Sequence, residues 1–122
     1  MGKGADIQER TMSYALRAVK LFQYLQRRRD AVGLILGKQY LRSATSIGAN
    51  LVEAQGGESR RDFIHKCSIS QKEARESRYW LTLLLKSSIV TEHRLSGLID
   101  ETNQIVAILT RIVVNTKNQS KR

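Results

Sequence analysis

Apolar residues recur along the chain at alternating intervals of three and four, in four blocks separated by short polar or glycine-bearing stretches. That interval places them on one face of a helix, and four such blocks predict four amphipathic helices. Ile7, Thr11, Tyr14, Ala15, Ala18, Phe22 and Leu25 mark the inner face of a first helix over about 6–28. Gly33 and Gly37 punctuate the stretch that follows, and a second helix is predicted over about 35–55. Its inner stripe is Leu36, Tyr40, Ala44, Ile47, Leu51 and Ala54, and Gly56-Gly57 is expected to close it in the left-handed conformation. Ser59 with Asp62 three residues on has the form of a capping box and opens a third helix over about 60–88. Phe63, Cys67, Ser70, Ala74, Ser77, Leu81, Leu84 and Ser88 form its seam. Thr91 is the candidate N-cap of a fourth helix over about 92–114, with Leu95, Leu98, Thr102, Ile105, Leu109 and Ile112 facing inward. A polar, basic tail at 115–122 is expected to fray.

Three short connections between four helices predict antiparallel neighbours, so the expected fold is all-α, an up-down-up-down four-helix bundle in a single domain. The absence of proline fits long helices joined by short loops. Two further stripes are apolar but point away from the predicted core. Met12, Leu16 and Val19 form one on the first helix, and Leu41, Thr45, Gly48 and Val52 form the other on the second. Surplus apolar surface of this kind predicts contact with another subunit.

Charge adds a direction. The 122 residues carry 21 Lys and Arg against 11 Asp and Glu, a formal charge of +10, which attracts polyanions such as RNA or DNA. About 100° per residue brings Arg61, Ser68, Lys72, Arg75, Tyr79 and Lys86 onto one stripe of the third helix, where phosphates meet cations and Tyr79 can stack on a base. Arg27, Arg28, Arg29 and Arg60 near helix ends extend the set of candidate contacts. The plainer alternative for each is a solvated charge. Another face of the third helix carries Glu73, Glu76 and Trp80. Two carboxylates on one helix lack the opposed geometry of an acid–base pair, so pairing with Arg42 or Arg78, or a hydrogen bond to Asn50, at a helix or subunit interface is expected.

Enzymatic signals are weak. No phosphate-binding glycine loop or nucleophile elbow occurs in the sequence. His65 and His93 have no metal-ligand spacing around them, and the single Cys67 reads as a core residue. Arg60 and His65 stand in the Arg-x4-His spacing of some helical ribonucleases, which leaves a ribonuclease as a minor alternative. No segment has the run of 18 or so apolar residues that spans a membrane, and Met1 to Asp6 lacks an apolar leader core, so a cytoplasmic protein without cofactor is expected.

The segments Gln39 to Ala54, Ser59 to Phe63 and Lys72 to Leu81 resemble, in order and spacing, the signature of the bacterial four-helix-bundle proteins of the 23S rRNA intervening-sequence family. The resemblance runs from Asp6 to about Val113. It implies a four-helix bundle, a ring-like homopentamer and no established catalytic residues. A related branch serves diversity-generating retroelements as a basic accessory protein that binds nucleic acid and a reverse transcriptase. The expectation is therefore a non-enzymatic, homopentameric RNA- or DNA-binding bundle. The alternative is a protein-interaction scaffold or an accessory subunit of a nucleic-acid enzyme such as a reverse transcriptase.

Overall fold

The computed structural model describes residues 3–57 and 59–120. Four helices account for nearly all of them: α1 (Lys3–Arg28), α2 (Ala31–Gln55), α3 (Arg60–Lys86) and α4 (Glu92–Ser120). Cross-helix contacts fix their directions. Along α1 and α4, Arg10 meets Gln104, Tyr14 meets Thr102, and Tyr24 meets Arg94, so one sequence rises as the other falls. Arg42 with Glu76 and Ser70 with Ile47 set α2 against α3 in the same sense, as Gln71–Thr110 and Arg78–Asn103 do for α3 and α4. Each helix thus runs antiparallel to its neighbours. The α1–α4 seam is the thinnest of the four.

The predicted stripes make the core. Ile7, Thr11, Tyr14, Ala18 and Leu25 of α1, Tyr40, Ala44, Ile47, Leu51 and Ala54 of α2, and the α3 and α4 seams from Cys67 to Leu84 and from Leu95 to Leu109 are buried. Burial pushes the Cys67 thiol up, so it stays protonated within the core.

Differences from the sequence reading cluster at helix ends. α2 begins at Ala31, earlier than expected, because the Asp30 side chain caps it by accepting from the Gly33 amide at 2.7 Å. Gly33 and Gly37 therefore lie inside the helix and are buried. They permit close approach: a Cβ on Gly37 would stand 2.6 Å from Leu25 Cδ1. Gly56-Gly57 does not take the left-handed conformation; Gly56 caps α2 at φ −87°. That conformation falls instead on Arg29 (φ 56°) and Ser88 (φ 62°). Ser88 is consequently an exposed turn residue and not the last seam position of α3, which ends at Lys86. Its amide bonds to Leu85 O at 3.0 Å and that of Ile89 to Leu84 O at 3.2 Å, the paired closure of a Schellman motif. Nor does α4 fray at Val114. No glycine or proline interrupts it after Gly97, and it continues to Ser120, with Thr116 Oγ1 donating back to Ile112 O at 2.7 Å. Lys121 and Arg122 of the expected basic tail lie outside the described residues. Ser59 caps α3 as predicted, its hydroxyl accepting from the Asp62 amide at 3.1 Å.

Candidate functional site

The bundle concentrates its candidate functional side chains on three surfaces. The first is the outer face of α3. Arg61, Lys72, Arg75 and Lys86 are exposed there, and none forms an ion pair among the described residues. Tyr79 stands among them 60 % exposed, its ring edge-on to Trp80 at 5.1 Å. An exposed aromatic between free cations presents both a stacking face and phosphate partners.

The second surface is the α2–α3 seam. Arg42 reaches across to both Glu73, at 3.0 Å, and Glu76. Glu76 also accepts from the Trp80 indole N–H at 3.1 Å. Partial desolvation works against the charged guanidinium, yet the two carboxylates hold the Arg42 pKa above its ordinary value. Of the expected partners of this pair, Arg42 takes both carboxylates. Arg78 turns to Asn103 Oδ1, and Asn50 donates to Ser46 O. Glu73, Glu76 and Trp80 are thus engaged within one chain.

The third surface is a cleft of about 350 Å³ between α1 and α4. Arg17, Lys20, Tyr24 and Arg27 come to it from α1 and Arg94 from α4. The Arg94 guanidinium lies 3.8 Å from the centroid of the Tyr24 ring. Arg28 donates to the Tyr24 hydroxyl at 2.9 Å, a bond that draws the phenol below its ordinary range.

Helix direction separates the candidate cations into two groups. Arg27, Arg28, Arg29 and Lys86 gather at the end where α1 and α3 finish. Arg60 and Arg61 start α3 at the opposite end, about 40 Å away at 1.5 Å per residue. Arg60 and His65 are exposed and sit about 140° apart around the helix, so their side chains do not converge on one reacting atom. His65 and His93 each lie near the start of an antiparallel helix, and so at opposite ends of the bundle.

Of the apolar interface candidates, Met12 (62 %), Leu16 (57 %), Val19 (37 %) and Val52 (62 %) are exposed, while Leu41 is half-buried. Gly48 faces α1 of its own chain: a Cβ there would meet Thr11 Oγ1 at 3.2 Å. This contact places the two apolar stripes on either side of the α1–α2 seam.

The sequence reading missed Arg17, Lys20 and Arg94. The α1 members had a signal, since Arg17, Lys20, Tyr24 and Arg27 follow one another by three, four and three. Arg94 had none, because its place beside Tyr24 depends on α4 returning to α1.

Fold and surfaces together define an all-helical, strongly cationic bundle in which exposed apolar and cationic surfaces are distinct. The chain belongs to the family described as 23S rRNA-intervening sequence protein, whose model matches residues 3–111. It is also similar to a crystal structure from Bacteroides thetaiotaomicron, described as a protein of unknown function from the S23 ribosomal protein family. The two are 36 % identical, with a TM-score of 0.82 over 88 % of this chain and 97 % of that one. No functionally curated protein matches the chain. No helix among the described residues is long and apolar enough to cross a membrane.

Proposed function

We propose that the chain is a non-enzymatic, homo-oligomeric protein that binds RNA or DNA through its basic surfaces. The observation that carries this reading is the α3 row, where Arg61, Lys72, Arg75 and Lys86 flank Tyr79 with no acidic partner among the described residues. Cations that the fold leaves unneutralised gain most from a polyanion, because each neutralised phosphate releases condensed counterions. The family's description, 23S rRNA-intervening sequence protein, makes RNA a ligand to test first. Assembly uses the apolar residues beside the α1–α2 seam, Met12, Leu16, Val19 and Val52, which a monomer leaves in water. The subunit count of five comes from the family resemblance, and the cytoplasm is the compartment where such a complex would work.

The test is a binding titration of the full chain with single-stranded RNA, double-stranded RNA and DNA at low and moderate salt. Affinity is expected to fall steeply with salt. Lys72→Gln with Arg75→Gln is expected to reduce the logarithmic salt slope by about two, roughly one for each phosphate that is no longer neutralised. Absence of binding to all three ligands at low salt would sink the reading. The exposed apolar residues beside α1–α2 favour a second one, a protein-interaction scaffold or an accessory subunit of a nucleic-acid enzyme such as a reverse transcriptase. It would then become the one to pursue.

A further inference from the structure

In the open cleft between α1 and α4, cations from two helices converge. Arg17, Lys20 and Arg27 line it from α1, Arg94 from α4, and no carboxylate does. None of the four forms an ion pair among the described residues. Glu101, farther along the same seam, is taken by Arg10 at 2.7 Å. Like charges held together without compensation repel at low ionic strength, and an anion seated among them removes that repulsion.

The cleft is also shaped in advance. The Arg94 guanidinium lies over the Tyr24 ring, 3.8 Å from its centroid, a cation–π contact that holds the group at the mouth of the cleft. Arg28 fixes Tyr24 in turn through its hydroxyl. On the facing wall, Gly97 leaves room for Arg17: a Cβ there would approach Arg17 Nη2 at 3.3 Å. Three of the four cations are arginines, the residue whose rigid fork matches the paired oxygens of a phosphate.

We propose that the α1–α4 cleft is a phosphate-binding seat, built by Arg17, Lys20, Arg27 and the Tyr24-stacked Arg94. Its ligand carries two or more adjacent phosphate charges. That chemistry comes either from a free oligophosphate or from the phosphodiester backbone of a nucleic acid. The volume of about 350 Å³ accommodates more than a single phosphate. The seat is separate from the α3 row, so its existence does not depend on that row binding nucleic acid.

The experiment is a titration of the full-length protein with pyrophosphate at low salt, followed by backbone amide shifts and by calorimetry. Saturable shifts confined to the residues around Tyr24, Arg94 and Gly97 are expected. Arg17→Gln with Arg94→Gln should weaken binding about tenfold or more, as two guanidinium groups cease to donate charge-assisted hydrogen bonds. All substituted positions are exposed, and unchanged helicity and melting temperature would show that the fold is kept. Lys72→Gln with Arg75→Gln on α3 should leave pyrophosphate binding unaltered. Displacement of bound pyrophosphate by oligouridylate would support the seat and identify the phosphodiester backbone as the source. Oligouridylate binding without displacement would support it with a free oligophosphate as the source. The proposal is overturned if the wild-type protein shows no saturable pyrophosphate binding, or if the Arg17, Arg94 variant binds it as tightly. Nucleic-acid affinity measured on the same samples reports separately on the function proposed above.

Discussion

The α2–α3 and α1–α4 seams join the same kind of helices and yet behave as opposites. Between α2 and α3 the buried residues include Ser43, Ala44, Ser70, Ala74 and Ser77. Small side chains let the backbones approach, close enough for Ser70 Oγ to donate to Ile47 O at 2.8 Å on the other helix. Ser43 and Ser77 share a buried hydrogen bond at 2.8 Å; since Ser43 also donates to Tyr40 O, Ser77 supplies the proton between them. Between α1 and α4 the contacts are made by long side chains. Arg10 reaches Glu101, Tyr24 carries Arg94, and Tyr14 reaches Thr102 at 2.6 Å. Helices held apart by tyrosine and arginine leave a cleft, and a cleft on a chain of this charge collects cations. Residue size at the seam thus decides which one is structural and which is open to a ligand.

The largest expected effect tests whether size sets the two seams apart. Ser77→Leu forces a much larger side chain into the tight seam and should cost about 3 kcal/mol, read by chemical denaturation. Gly97→Ala in the loose seam meets only the flexible end of Arg17 and relieves a helical glycine, so a gain of about 0.5–1 kcal/mol is expected. Equal losses in the two seams would erase the distinction.

A smaller pair of effects comes from the two buried tyrosines, whose rings meet edge to face at 6.3 Å. Thr102 gives its proton to Leu98 O, so Tyr14 must donate across the α1–α4 seam to Thr102. Tyr14→Phe should therefore cost about 1 kcal/mol. The Tyr40 hydroxyl is buried without a partner among the described residues, and Tyr40→Phe should be neutral or stabilising by about 1 kcal/mol. Burial raises the pKa of both phenols. Above about pH 10, the ordinary phenol pKa, the unfolded chain loses protons that the native state keeps, so stability should fall with rising pH. Urea midpoints across that range should decline less in either Phe variant. An identical alkaline decline in both variants and wild type would refute the buried-phenol account.

The smallest effect is at the turn that sends the chain into α4. Ser88 is left-handed, where a Cβ is unfavourable, and Ser88→Gly should raise stability by up to about 1 kcal/mol. A melting temperature below that of the wild type would show that the hydroxyl has a role the turn geometry does not reveal.

Most of the core was legible because helical periodicity survives packing: the stripes on all four helices are the buried faces. Near-ties were not. Leu21 is buried and its neighbour Phe22 only half-buried, although Phe22 fits the α1 stripe. Glycine was the main source of error. Gly33 and Gly37 read as breaks from composition, but a glycine that lets helices touch looks the same in sequence as one that ends a helix. Gly56-Gly57 offered the left-handed conformation, and the chain used it at Arg29 and Ser88 instead, where helix length required a turn. The α3 row was visible as a stripe on one helix. The α1–α4 cleft was not, since half of its logic lies with Arg94, about 70 residues away from its α1 neighbours in the chain.

That separation also bears on the order in which the molecule assembles. Each of the other three seams joins helices adjacent in the chain and closes a short loop. Arg10 and Glu101, by contrast, are 91 positions apart. Short loops close at lower entropic cost, so the hairpins α1–α2, α2–α3 and α3–α4 are placed to form first and the α1–α4 seam last. With no proline in the chain, no prolyl isomerisation delays that final docking. The seam placed to close last also has the least contact between its helices, so it is the one expected to open most readily in the native protein, and it borders the cationic cleft.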